Sequence, residues 1–166
     1  MRSSTTHGSS RWSELRDRGV GWVVAQFALM GVIAVAWLVP PEWPEPVRTP
    51  FRIAGLALAV AGVAFALWAH RSLGSSFTAF TTPPSGAARI ESGPYRYARH
   101  PMYGGGILAF AGLSLAFSIL SLVLVAALTV LWRAKSGVEE RVLTARFPDY
   151  ADYRRHTPHR FLPGLF

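Results

Sequence analysis

Two short stretches hold the residues that could do chemistry. The first is "GPYRYARHPMYGGG", Gly93–Gly106. Pro101 suits the first turn of a helix, where its missing N–H would have had no partner. It also biases His100 toward an extended backbone. His100 is therefore predicted at or just before a helix N-terminus. That end carries unpaired N–H groups and a partial positive charge, so it favours an anionic ligand group such as a carboxylate. Gly104, Gly105 and Gly106 leave the first turns bare, which lets a ligand or another helix come close. Tyr95, Tyr97 and Tyr103 offer hydroxyls and aromatic faces suited to a planar ring or a cation. The same tyrosines and arginines also fit an anchoring belt at a membrane boundary. Residue types alone leave both readings open.

The second stretch is "WRAKSGVEERVLTARFPDYADYRRHTPHRFLP", Trp132–Pro163. Glu139 and Glu140 are the only acids between Glu91 and Asp149. Adjacent carboxylates repel, so a cation or ligand hydroxyls should compensate one of them. Arg133, Lys135 and Arg141 are near in sequence. A solvated helix end with ordinary ion pairs is the plain alternative, and such pairs contribute little. Leu143, Phe147, Tyr150 and Tyr153 recur at roughly helical spacing. They predict an amphipathic segment lying on a membrane interface, broken by Pro148 into two short helices.

The elements that must position these stretches are apolar. The chain has 166 residues, 51% hydrophobic and only 16% charged, against about 25% charged in soluble domains. It has no cysteine, hence no disulfide, Cys-ligated metal or thiol nucleophile. Val20–Val39 is an uncharged apolar run, long enough for a crossing of about 20 residues. The Pro-rich "PPEWPEP" that follows is unlike a signal-peptide cleavage site. Ile53–Ala69 is a second, shorter run. Pro101–Trp132 is too long for one crossing, so a turn at Phe117–Ser121 divides it. The expectation is an all-α integral membrane bundle of four spans, about 20–39, 52–70, 101–117 and 120–138, with C-terminal interfacial helices. A polar tail, 1–19, precedes it, with a short interfacial helix near Trp12–Arg18. Small residues at helical spacing, Gly55, Ala59, Gly62 and Ala66 in one run and Gly105, Ala109, Gly112 and Ala116 in the next, predict close helix packing.

Charge sets the orientation. The net charge is +8, but the basic residues lie between apolar blocks rather than on one soluble face, which argues against a nucleic-acid partner. With the N-terminus inside, only Arg48 and Arg52 of the 17 basic residues fall outside. That bias places both termini and the 70–100 loop in the cytoplasm, in the inner or plasma membrane. No obligate protein partner is evident.

The two stretches together, in order and with a helical hairpin between them, resemble the isoprenylcysteine carboxyl methyltransferase family, whose wider relatives include phospholipid methyltransferases. The resemblance covers about residues 68–163 and includes "LGSSF" at Leu73–Phe77. It implies a membrane enzyme that uses S-adenosylmethionine to methylate a lipophilic acceptor or a membrane lipid. His100, Pro101, Met102 and Tyr103 match the family's cofactor-contacting segment. Tyr95 and Ile90 match the preceding part of that site, and Glu139 or its neighbour Glu140 the carboxylate of the double-Glu motif. Lys135 falls where the prenylcysteine enzymes carry an arginine for the substrate carboxylate. By charge and position, Arg99, Arg133 and Lys135 are the candidates to orient an anionic acceptor.

Two departures point away from a prenylcysteine. The family's His-x-Leu-Val stretch reads Ala87, Ala88, Arg89 and Ile90 here. Lysine at 135 also lacks the bidentate fork of arginine. Membrane reductases of the sterol type carry a similar Arg-His-Pro-x-Tyr motif and use NADPH, but they place an acid shortly after the tyrosine. This chain has Gly104–Gly106 there and keeps the double Glu. A non-catalytic membrane scaffold is the alternative of a different class.

Overall fold

A computed structural model describes residues 19–39 and 43–164. The expected N-terminal tail and its interfacial helix fall outside the described residues. The described residues form five α-helices: α1 (Val20–Ala36), α2 (Glu45–Leu73), α3 (Pro101–Phe117), α4 (Ser121–Arg146) and α5 (Tyr150–His156). No β-strand occurs among the described residues. The architecture is an all-helical membrane bundle, as the apolar runs predict.

α2 and α4 are long and apolar enough to cross a membrane, while α1 and α3 are apolar helices of 17 residues each. Much of the apolar surface points outward. Val24 and Phe27 on α1, Ile53 and Val60 on α2, and Val123 and Val130 on α4 are all exposed. In water that would be a liability; in hydrocarbon it is the solvated face.

α2 packs along α3, α3 against α4, and α4 against α1. The α2–α3 contact rests on the small-residue faces. A Cβ on Gly55 would stand 2.5 Å from the Gly112 carbonyl oxygen, and one on Gly62 would stand 2.7 Å from that of Gly105. Only glycine lets the two backbones meet so closely. The other core lies between α1, α3 and α4, around Ile33, Val125, Leu128 and Trp132. Phe161 of the C-terminal segment closes it.

Two boundaries differ from the hydropathy reading. α2 begins at Glu45, inside the segment expected to be a proline-rich loop. Pro46 sits in its first turn, where no N–H is missed, and Arg48 pairs with Glu45 at 2.7 Å. Pro50 lies within the helix. α4 continues to Arg146, eight residues beyond the expected span, because its charged end is paired inside the protein. Pro148 does break the chain, and α5 turns Tyr150 and Tyr153 into the protein while Asp152, Arg154 and Arg155 are exposed. The Tyr153 hydroxyl donates to the Tyr95 carbonyl at 2.7 Å.

Candidate active site

The loop between α2 and α3 returns to the bundle at a short 3₁₀ turn, Gly93–Arg96. Gly93 has φ +60°, and a Cβ there would also meet Ser72 Oγ at 2.5 Å, so glycine alone fits. The backbone then runs extended alongside the C-terminal segment. Arg99 N–H donates to the His159 carbonyl at 3.0 Å, and His100 N–H to that of Arg160 at 2.7 Å. His100 caps α3, and its carbonyl accepts from Tyr103 and Gly104 N–H. Pro101 occupies the first turn and is fully buried.

The three glycines divide their roles. Gly104 lies against the Phe161 carbonyl and Gly105 against the backbone of Ala66. Both serve packing. Gly106 lies against the Trp132 ring and also borders a cavity of about 380 Å³.

That cavity brings the two sequence stretches together. Ile90, Tyr95, Arg99, His100, Met102 and Tyr103 line it from one side, Lys135 and Glu139 from α4. The remaining wall is mostly apolar, including Phe27 and Met30 of α1 and Phe110 of α3. Glu139 is the only carboxylate on the wall. Its Oε1 accepts from the Tyr103 hydroxyl at 2.6 Å. Its Oε2 lies 3.4 Å from His100 Nδ1. The Tyr103 ring stacks on the His100 ring at 5.8 Å and on Trp132 at 5.2 Å.

Glu140 stands behind this wall rather than on it. Its Oε1 accepts from Arg99 Nε at 2.9 Å and lies 3.2 Å from His100 Nε2. Its Oε2 accepts from Arg160 Nη2 at 3.2 Å. His100 is thus held between two carboxylates, one on each ring nitrogen. Burial alone would push its pKa down, but the hydrogen bonds and charges of Glu139 and Glu140 outweigh it. The pKa lies above the ordinary histidine value. Burial, with Tyr153 and Glu139 nearby, pushes the Tyr95 hydroxyl up, so that group remains a hydrogen-bond donor at neutral pH.

The three basic candidates have different fates. Arg133 is exposed and does not border the cavity. Arg99 borders it, but its donors go to Glu140 and to the carbonyls of Thr157 and Pro158, at 2.8 and 2.6 Å. Lys135 is 1% exposed and gives its protons to Gln26 Oε1 and the Ala79 carbonyl, both at 2.8 Å, with Glu139 Oε1 at 3.8 Å. Tyr97 is exposed and lies off the cavity. Among the described residues no group of three or more His, Cys, Asp or Glu is placed to hold a metal ion. The residue that sequence reasoning missed is Gln26. Its signal was available: a single amide in an otherwise apolar run, where a polar group needs a partner.

The arrangement is an apolar cavity with one buried carboxylate, a stacked aromatic wall and a helix N-terminus at its edge. It suits a ligand with hydroxyl donors and a cationic or planar part. Over 149 residues, 89% of this chain, the sequence is 29% identical to the cobalt-zinc-cadmium resistance protein CzcN of Cupriavidus metallidurans. Over 78 residues, 46% of the chain, it is 32% identical to the nickel-cobalt-cadmium resistance protein NccN of Alcaligenes xylosoxydans xylosoxydans. These matches cover 63% and 36% of the relatives' own lengths. Residues 51–149, which carry every cavity residue from α2 to the end of α4, match the phospholipid methyltransferase family, a family related to the isoprenylcysteine carboxyl methyltransferases, and the chain belongs to it.

Proposed function

We propose that the chain transfers a methyl group from S-adenosylmethionine to a lipophilic acceptor. The observation that carries this reading is the Glu139 carboxylate, fixed by Tyr103 on the wall of an otherwise apolar cavity. The residues fit the cofactor. Ligand sites run from about 300 to 1,000 Å³, and 380 Å³ lies within that range. A carboxylate is an acceptor for ribose hydroxyls or an amino group. The partial positive charge at the N-terminal end of α3 suits the methionyl carboxylate. The Tyr95 ring on the cavity wall suits a cationic sulfonium.

S-adenosylmethionine, when bound, supplies an electrophilic methyl group on a sulfonium that is already a good leaving group. The work left to this chain is alignment and exclusion of water. Tyr103 holds Glu139, and His100 holds it from the other oxygen. Glu140 holds His100 and Arg99. Phe27, Met30 and Phe110 keep the acceptor's side of the cavity dry. Glu139 is also a cavity group able to take a proton from a hydroxyl or amine acceptor, as is His100 when neutral.

The proposed setting is a multi-pass membrane protein with four crossings, both termini and the site in the cytoplasm, as charge placement requires. The two relatives are named for resistance to divalent metals. Carried to this chain, that role runs through the methylated product. The cavity offers one carboxylate and apolar walls, not a set of metal ligands.

The test is calorimetric binding of S-adenosylmethionine to the purified chain, followed by labelled methyl transfer into a total lipid extract. Saturable binding and a labelled lipophilic product are expected. Folded protein that binds NADPH and not S-adenosylmethionine overturns the reading in favour of a reductase. Folded protein that binds neither leaves a scaffold.

A further inference from the structure

Gln26 is the one polar side chain of α1, and it is buried. Its Oε1 sits between Lys135 Nζ at 2.8 Å and Trp132 Nε1 at 3.3 Å. An ammonium and an indole N–H are donors only. The atom between them must therefore be the amide oxygen, which settles the orientation of the carboxamide. The NH₂ group points the other way. Among the described residues both hydrogen bonds of the side chain end on its oxygen. The side chain lines the cavity beside Phe27 and Met30. The carboxamide donor thus belongs to a mostly apolar wall that also carries Ser76, Thr78 and Thr81.

The place of this donor is informative. Lys135 lies one helical turn deeper into the bundle than Glu139, about 6 Å along α4. Gln26 faces that deeper level. It belongs to the lipid-facing helix α1 and adjoins the Glu139–His100–Tyr103 wall through Lys135 and Trp132. Three cations line the cavity. Lys135 has two oxygens and Glu139 around it, Arg99 is committed to Glu140 and two carbonyls, and Arg89 is paired through Nη2 with Glu91 and Asp149, leaving only its buried Nη1 without a partner. An anionic group here would meet an already neutralised lysine and the Glu139 charge. An uncharged oxygen would meet a free N–H.

We infer that the Gln26 carboxamide is the binding donor for the methyl acceptor, and that the acceptor presents an uncharged oxygen, a hydroxyl or carbonyl, rather than a carboxylate or phosphate. Lys135 then acts as a positioning residue that fixes the amide. The inference rests on the methyl-transfer reading only in calling this ligand the acceptor.

The chain contains one glutamine and no asparagine. Its side-chain carboxamide therefore gives a single NH₂ pair in a ¹⁵N–¹H spectrum. The experiment titrates the full chain in lipid nanodiscs with octan-1-ol, 2-octanone, octanoate and octylammonium, at about pH 8, where octanoate is ionised and octylammonium charged. The NH₂ pair is expected to shift saturably with octanol and octanone, and to respond to octanoate at least about tenfold more weakly. Octylammonium, which has no acceptor atom, should leave it unmoved. Gln26→Glu keeps an oxygen for Lys135 and Trp132 but removes the donor. It should hold the fold and weaken binding of 2-octanone, which can only accept, read from the Trp132 indole resonance, by about three- to tenfold, the worth of one net hydrogen bond. Gln26→Met, which removes both roles, serves as the comparison.

An NH₂ pair that no probe moves, or that octanoate moves at lower concentration than octanol, overturns the inference. So does a Gln26→Glu chain that binds 2-octanone as tightly as the parent. S-adenosylmethionine binding on the same samples separates the two readings. Binding with a silent Gln26 sinks this inference alone. A responsive Gln26 without cofactor binding supports the amide site and sinks the methyl-transfer reading.

Discussion

The Tyr103 hydroxyl donates to Glu139 Oε1 at 2.6 Å, across 36 residues of sequence and from one helix to the next. This bond ties the start of α3 to the cytoplasm-proposed end of α4, and it fixes the one carboxylate of the cavity. Neither residue could hold that position alone. Tyr103 is wedged between the His100 and Trp132 rings, which leaves its hydroxyl a single place to point.

Tyr103→Phe keeps the stacked ring and removes the hydroxyl. A hydrogen bond to a charged group contributes about 1.5–3 kcal/mol. Part of that will reappear as Glu139 seeks another donor. S-adenosylmethionine binding by calorimetry should weaken by about three- to thirtyfold, with the unfolding temperature lowered by a few degrees. Unaltered affinity would mean that the pair does not shape the cofactor site.

The two glutamates should separate by phenotype. Glu139 borders the cavity; Glu140 is 5% exposed at its side chain and is held by Arg99, His100 and Arg160. Removing one member of a buried charged network strands the others, at a cost of about 3–5 kcal/mol. Glu140→Gln should therefore lower stability in detergent. Glu139→Gln should leave the fold and weaken cofactor binding by about tenfold or more. The check is thermal unfolding and calorimetry on both variants, and equal stability loss in the two would contradict the division.

His100 gives a pH dependence with a definite sign. Its folded-state pKa is raised above the unfolded value by Glu139 and Glu140, against the effect of burial. Protonated His100 therefore stabilises the fold, fully so below about pH 6.5. That contribution is lost as pH rises through the folded-state value. His100→Gln should flatten the fall in stability on the alkaline side, measured as unfolding midpoint against pH. A parent chain that gains stability through that window would reverse the assignment.

Much of this geometry was legible in the sequence, for reasons that differ by residue. Pro101 announced the start of α3, because a proline in a first turn is read from chemistry local to the chain. The facing glycines of α2 and α3 were legible as a spacing. The start of α2 at Glu45 was not, since hydropathy measures how far lipid extends and not how far a helix does. Tyr150 and Tyr153 carried an amphipathic pattern, and a pattern says which residues share a face but not what covers it. The division between Glu139 and Glu140 also needed the fold, because adjacent residues point about 100° apart on a helix. Gln26 was passed over because its partners, Trp132 and Lys135, come more than 100 residues later.

The proposed topology predicts labelling by side. The chain has no cysteine, so single cysteines report without background. Ser92 and Thr49 are both exposed and lie at opposite ends of the bundle. In intact cells Thr49→Cys should react with a membrane-impermeant maleimide and Ser92→Cys should not. Permeabilised cells should label both. The inverse pattern would turn the protein over in the membrane and put the site outside.

Gly105 and Gly137 test whether close helix packing, rather than glycine content, holds the bundle together. A Cβ on Gly105 would stand 2.6 Å from the Ala66 nitrogen and 2.7 Å from the Gly62 oxygen. These are backbone atoms of α2, which cannot swing aside, so α2 and α3 must part along their length. Gly105→Ala should cost about 1–3 kcal/mol, as overpacking does. Gly137 lies within α4, and a Cβ there meets nothing within 4 Å. Gly137→Ala should instead gain up to about 0.5–1 kcal/mol from the helix preference for alanine. Both are the same substitution in a helix of the same bundle, so propensity predicts the same sign for the two and packing predicts opposite signs. Unfolding in mixed micelles reads the difference directly. Stabilisation at both positions would mean that α2 and α3 have room to adjust and that their glycines are not what sets the approach.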